Sequence, residues 1–155
     1  MWKQNHRWCF YSKWNPSLHA ATNTNAFRYE FFVRIARSFP LLKHLRICNF
    51  EPQPLSDLLA SSSDDPQSYS VIEYSHLVSL DVTIAHKDYL DQFLNETKAY
   101  VPCLTKLSVC YDNLKMVTEN FTREATRRNC AKVNKLTFFL QANNPEDYSH
   151  YFPSL

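Results

Sequence analysis

The chain has 155 residues, 45% apolar and 15% aromatic, enough to bury one core and too apolar for a disordered segment. Seventeen basic against fifteen acidic residues leave a net charge of +2, too small to argue for nucleic acid as the partner. Glycine is absent, where average usage would place about eleven; that removes the glycine-dependent phosphate loops and the G-x-S-x-G nucleophile elbow.

Residues 1–26 are read as an N-terminal cap or linker of unassigned structure. Trp2, Trp8 and Trp14 are spaced six apart, which fits neither a helix face nor a strand. This end is polar and aromatic together and has no apolar stretch of signal-peptide type. From residue 27 to 155 the pattern changes. Phe27, Phe31, Ile35 and Phe39 recur every four residues and predict a helix, with Asn25 as its N-cap and Pro40 as its stop. A strand follows on Leu42-x-x-Leu45-x-Ile47. The stretch 51–70 holds Pro52, Pro54, Pro66, three successive serines and Asp64-Asp65, and predicts a mobile loop. Leu55, Leu58 and Leu59 suit one helical turn inside it.

The strand signature then returns as Leu77-x-x-Leu80-x-Val82-x-Ile84, Leu104-x-x-Leu107-x-Val109 and Val133-x-x-Leu136-x-Phe138-x-Leu140. Successive first positions are 35, 27 and 29 residues apart. Between them Leu90, Phe93, Leu94 and Val101 make a second helical stripe, ended by Pro102. Leu114, Val117, Phe121 and Ala125 make a third, with Asp112 as cap. The core L-x-x-L-x-L at these periods is that of a leucine-rich repeat. The expected fold is therefore α/β, an irregular leucine-rich-repeat solenoid of about four helix–strand units with a parallel sheet. Tyr151-Phe152-Pro153-Ser154-Leu155 echoes Ser38-Phe39-Pro40-Leu41-Leu42, so a fifth strand is expected to begin where the chain stops, as in a truncated domain.

Alternation along each strand points the leucine and β-branched positions inward. The residues between them form the opposite face in three rows. The first is His44, Ser79, Lys106 and Lys135; the second is Arg46, Asp81, Ser108 and Thr137; the third is Cys48, Thr83, Cys110 and Phe139. This mixed, mildly basic face is the predicted partner-binding surface, and a protein is its expected partner. No catalytic residue, metal site or cofactor is assigned. His44 and Cys48 share a strand face but stand about 13 Å apart, beyond hydrogen-bond reach. Cys103 is read as a small buried apolar residue. The five cysteines include no C-x-x-C pair and suit an intracellular chain, cytoplasmic or nuclear, with reduced thiols. The sequons at Asn95 and Asn120 are then chance matches. No apolar run reaches membrane-span length, so no membrane is expected as a partner. Arg123, Arg127, Arg128, Lys132 and Lys135 form a basic cluster at 123–135. They carry the alternative reading of a nucleic-acid contact, although cations at a helix C-terminus are also favoured by the dipole. A structural repeat with no independent function is the other alternative.

Three segments carry a family resemblance: Tyr29-Glu-Phe-Phe-Val-Arg-Ile-Ala-Arg-Ser-Phe-Pro-Leu-Leu-Lys-His-Leu45, Tyr74-Ser-His-Leu-Val-Ser-Leu80 and Asn129-Cys-Ala-Lys-Val-Asn-Lys-Leu136. Over residues 27 to 155 the chain resembles the leucine-rich-repeat portion of F-box-domain-containing proteins, the substrate receptors of cullin-based ubiquitin ligases. The resemblance implies that the repeats recognise a protein substrate while an F-box docks on the ligase adaptor. Residues 1–26 lack the Leu-Pro-rich pattern of an F-box, so the adaptor is a partner only if an F-box is present in the full-length protein. The Asn or Cys usual three residues beyond the last strand leucine is replaced by Phe50, Ala85, Asp112 and Gln141.

Overall fold

The structure, a computed structural model, describes residues 26–54, 70–139, 148 and 150–155, together with the backbone of residues 7–11. The predicted Asn25 cap, the turn at Leu55, Leu58 and Leu59, most of the predicted 51–70 loop, and Leu140 and Gln141 lie outside these residues.

The fold is mixed α/β with a parallel sheet. Strands β1 (Arg7–Tyr11), β2 (His44–Asn49), β4 (Ser79–Ala85), β6 (Lys106–Val109) and β7 (Lys135–Phe138) lie side by side in that order, each parallel to the next. Parallel neighbours need a crossover, and the segments between strands supply it. Helix α1 (Tyr29–Ser38) precedes β2, α2 (Lys87–Leu94) follows β4, and α3 (Tyr111–Val117) and α4 (Glu124–Cys130) separate β6 from β7. Short strands β3 (Ile72–Glu73) and β5 (Ala99–Tyr100) pair with each other in a second parallel sheet.

One backbone turn introduces each of β2, β4, β6 and β7. Leu42, Leu77, Leu104 and Val133 each donate their N–H to the carbonyl three residues earlier, at 3.0 to 3.2 Å. Leu155 makes the same bond to Phe152. Next along the chain, the carbonyl of Lys43 accepts from both Val78 and Ser79. Val78 likewise accepts from Thr105 and Lys106, and Thr105 from Asn134 and Lys135. Repetition of this pair of contacts aligns the strand starts and satisfies backbone groups that burial would otherwise orphan.

The inward residues Leu45, Ile47, Leu80, Val82, Leu107 and Val109 are all buried, and they share one core with Phe32, Ile35, Leu90, Phe93, Leu94 and Leu114. Leu136 and Phe138, on the last described strand, are only half-buried because no described strand covers their outer side.

Several elements differ from the sequence expectation. Residues 7–11, left without structure, form β1 against β2. Helix α1 begins after Arg28, which has no side-chain cap bond, so Phe27 lies ahead of it; the helix buries Ile35 of the predicted stripe and Phe32 beside it, while Phe27, Phe31 and Phe39 are half-buried against the core. At the start of the supposed 51–70 loop, residues 51–54 are held in place. Asn49 Oδ1 accepts from Glu51 N–H, and the N–H of buried Gln53 donates to Asp88. The second stripe ends at Leu94; Val101 lies after β5, not on a helix.

The third stripe is two helices; the N-cap position of α3 is Cys110, which makes no side-chain cap bond, and Asp112 lies inside the first turn. The break falls at Glu119, Asn120 and Phe121, whose φ angles of 52°, 57° and 61° are left-handed. L-residues pay roughly 1–2 kcal/mol each for this conformation. Phe121 offsets that cost by burial among Tyr111, Tyr148 and Tyr151, and Thr118 Oγ accepts its N–H.

Candidate functional site

The candidate site is the sheet face opposite the helices. Register places its first two rows directly side by side. His44 stands opposite Ser79, Ser79 opposite Lys106, and Lys106 opposite Lys135. In the second row Arg46 faces Asp81, Asp81 faces Ser108, and Ser108 faces Thr137. Arg46, Lys106, Lys135 and Thr137 are exposed, while His44, Ser79, Asp81 and Ser108 are half-buried. Arg46 Nε donates to Asp81 Oδ2 at 2.7 Å, so these two charges offset each other.

The third row does not form. Cys48 stands opposite Ile84 instead of Thr83, because the pairing slips between Arg46 and Cys48. The cause is local: Asp81 Oδ1 accepts from both the N–H and the hydroxyl of Thr83, at 3.1 and 2.5 Å. A backbone N–H bonded to a side chain two residues back leaves the strand ladder, and a bulge results. The slip reverses the faces beyond it. Cys48, expected on the open face, is 7% exposed, whereas Ile84, expected in the core, is half-exposed and Ala85 takes the buried place. Cys110 sits past the end of β6 as the half-buried residue before α3. Phe139 lies just beyond β7 and is 62% exposed. Cys103, expected buried, is exposed in the turn ahead of Leu104.

The basic cluster at 123–135 is dispersed by its own contacts. Arg123 Nη1 donates to Asp91 at 2.6 Å and to the Val117 carbonyl. Arg127 pairs with Glu124 at 3.2 Å and lies over the Tyr151 ring, and Arg128 stacks 4.6 Å from the centre of the Tyr100 ring. Lys132 and Lys135 stay exposed.

Asp91 is the hub on the helical side. Burial pushes its carboxyl pKa up, but Lys98 at 2.7 Å and Arg123 more than offset this and hold it below the ordinary 3.8. These three side chains line a cleft of about 320 Å³ together with Asn95, Met116 and Glu119. Burial also pushes the Cys130 thiol up to about 12.

Sequence patterning missed a second kind of residue, the buried amides that join units. Asn129 Nδ2 donates to the carbonyls of Phe93, Leu94 and Ala99 at 3.0, 3.2 and 2.7 Å, while its Oδ1 accepts from Val101 N–H. Asn49 donates to the Tyr89 hydroxyl at 3.0 Å. Their one sequence signal is a polar residue inside an otherwise apolar stretch.

Among the described residues no group of three His, Cys, Asp or Glu side chains is placed to hold a metal ion. No described helix is long and apolar enough to cross a membrane. Comparison with protein-family models, with curated proteins and with solved structures gives no match.

Proposed function

We propose that the chain is a non-catalytic protein–protein interaction module, an irregular leucine-rich-repeat solenoid whose open sheet face holds a protein partner inside the cell. The observation that carries this reading is the pair of polar rows, eight side chains aligned across four parallel strands with the helices packed on the other side. Solenoids use such a face for binding because its side chains project from a rigid backbone. The recurring turn and the strand order that follows the chain support the repeat reading. The family resemblance extends it: the module serves as the substrate-recognition part of an F-box-like ubiquitin-ligase receptor, with the ligase adaptor a partner only if an F-box is present in the full-length protein.

Photo-crosslinking tests the surface. A benzophenone side chain at Ser108 is expected to trap one protein, with adducts competed by excess unmodified chain and lost in the Arg46→Glu/Lys106→Glu variant. The same probe at Met116, on the helical side, is expected to trap none. Adducts confined to Met116 would overturn the reading of the face. For the ligase role, the full-length protein is expected to co-purify with the adaptor; its absence from that complex removes the ubiquitin part and leaves the interaction module.

A further inference from the structure

The open face is not evenly charged. Among its described side chains the one arginine is taken up by Asp81, which bonds Arg46 on one side and Thr83 on the other. Lys106 and Lys135 differ: they are register partners on adjacent strands, both exposed, and neither forms an ion pair with a described carboxylate. Backbones of neighbouring strands lie about 4.8 Å apart. Like charges placed directly opposite at that spacing destabilise a sheet, and nothing in the described fold offsets the two ammonium groups. One row further along, Ser108 and Thr137 add two hydroxyl donors beside them.

We propose, resting on the interaction reading above, that the β6–β7 half of the face binds an acidic, extended protein segment, with a carboxylate seated between Lys106 and Lys135. The net charge of only +2 favours a short carboxylate-bearing segment over a polyphosphate chain. Guanidinium forks bind carboxylate and phosphate alike in bidentate fashion, and among the described side chains of the face the one fork, Arg46, is already committed to Asp81. Arg123, Arg127 and Arg128, on the helical side, have contacts of their own. The lysines supply point charges that one carboxylate can bridge. Toward β2 and β4 the attraction for an acidic segment fades, since Arg46 is already held by Asp81 and the two charges offset each other. Phe139, exposed beyond β7, provides apolar area four residues from Lys135. At about 3.3 Å per residue that is about 13 Å, so the segment pairs an acidic residue with an apolar one four positions away.

The test uses a nine-residue peptide with glutamates at alternate positions and a leucine four residues after the last. Its glutamine counterpart and a single-stranded oligonucleotide are the controls, and binding is mapped by amide chemical shifts of the full chain. The glutamate peptide is expected to shift Lys106, Ser108, Lys135 and Thr137, and the glutamine peptide to bind at least tenfold more weakly. Lys106→Glu/Lys135→Glu changes only exposed side chains, so a wild-type melting curve is expected. It should lose the glutamate peptide and gain a lysine counterpart. Glutamate-peptide binding that survives this variant overturns the site. Preferential binding of the oligonucleotide through the same lysines overturns the choice of partner. If the peptide fails while Ser108 still traps a protein, this inference falls and the interaction reading stands; if both fail, both fall.

Discussion

Replacing Asn129 tests whether amide bonding, rather than side-chain volume, ties α2 and β5 to the end of α4. Its side chain is 2% exposed and reaches three carbonyls and one N–H. Two of those carbonyls, Phe93 and Leu94, end α2, where no intrahelical donor remains. Each buried group left unpaired costs about 1–3 kcal/mol. Asn129 has two amide protons and one weaker acceptor bond, so Asn129→Ala is expected to lose about 3 kcal/mol, a large share of a typical domain stability. Asn129→Asp keeps the volume but turns a carboxylate toward three carbonyl oxygens, and at neutral pH it should lose more than the alanine variant. Protonation gives that carboxyl one donor. Its native pKa is then raised above the unfolded value, so stability is retained at low pH and lost as pH rises through the native pKa. Urea unfolding followed by circular dichroism reads both variants, with an unchanged m-value as the check on the unfolded state. An aspartate variant more stable than the alanine one at pH 7, with no recovery on acidification, would refute the hydrogen-bond account in favour of volume.

Asp91 gives a second pH dependence of opposite sign. Its native pKa is lowered, so its contribution is present above the unfolded value of 3.8 and disappears as pH falls through the native one. Asp91→Asn should be less stable at pH 7, and the urea-midpoint gap to the unsubstituted chain should close in acid; a constant gap contradicts the ion-pair assignment. At the left-handed break, Glu119→Gly removes an unfavourable φ at an exposed position. After allowing for the greater freedom of unfolded glycine, it should stabilise by about 0.5 kcal/mol in the same assay; destabilisation would mean the turn is not strained there. Alkylation with iodoacetamide, mapped by mass spectrometry, should modify exposed Cys103 in the native chain while Cys48 and Cys130 react only after unfolding. Equal native rates at Cys103 and Cys130 would contradict the packing around α4.

Local pattern carried much of this fold. Leu42, Leu45 and Ile47, with their counterparts through Val109, are buried where alternation puts them, because a period of two and a sheet with one covered face together decide which side chain points inward. The same alternation aligned His44 with Ser79 and Arg46 with Asp81, which is why two rows of the open face were legible before any coordinates. The remainder depends on partners distant in sequence. Strand β1 has no leucine signature and exists by pairing with β2, more than thirty residues on. Cys48 turns inward because the Asp81 side chain captures the Thr83 N–H on a neighbouring strand, an event that residue type alone does not announce. The long helical stripe breaks at Glu119, Asn120 and Phe121 with no glycine to mark it, since burial of Phe121 among rings from both sides of the chain sustains a backbone that local preference disfavours. Sequence by itself thus determined the inward face of each central strand as far as the bulge, and the alternation of strand with helix. Tertiary structure decided the edges, the bulge and the buried amides, because each is stabilised by groups that only folding brings within bonding distance.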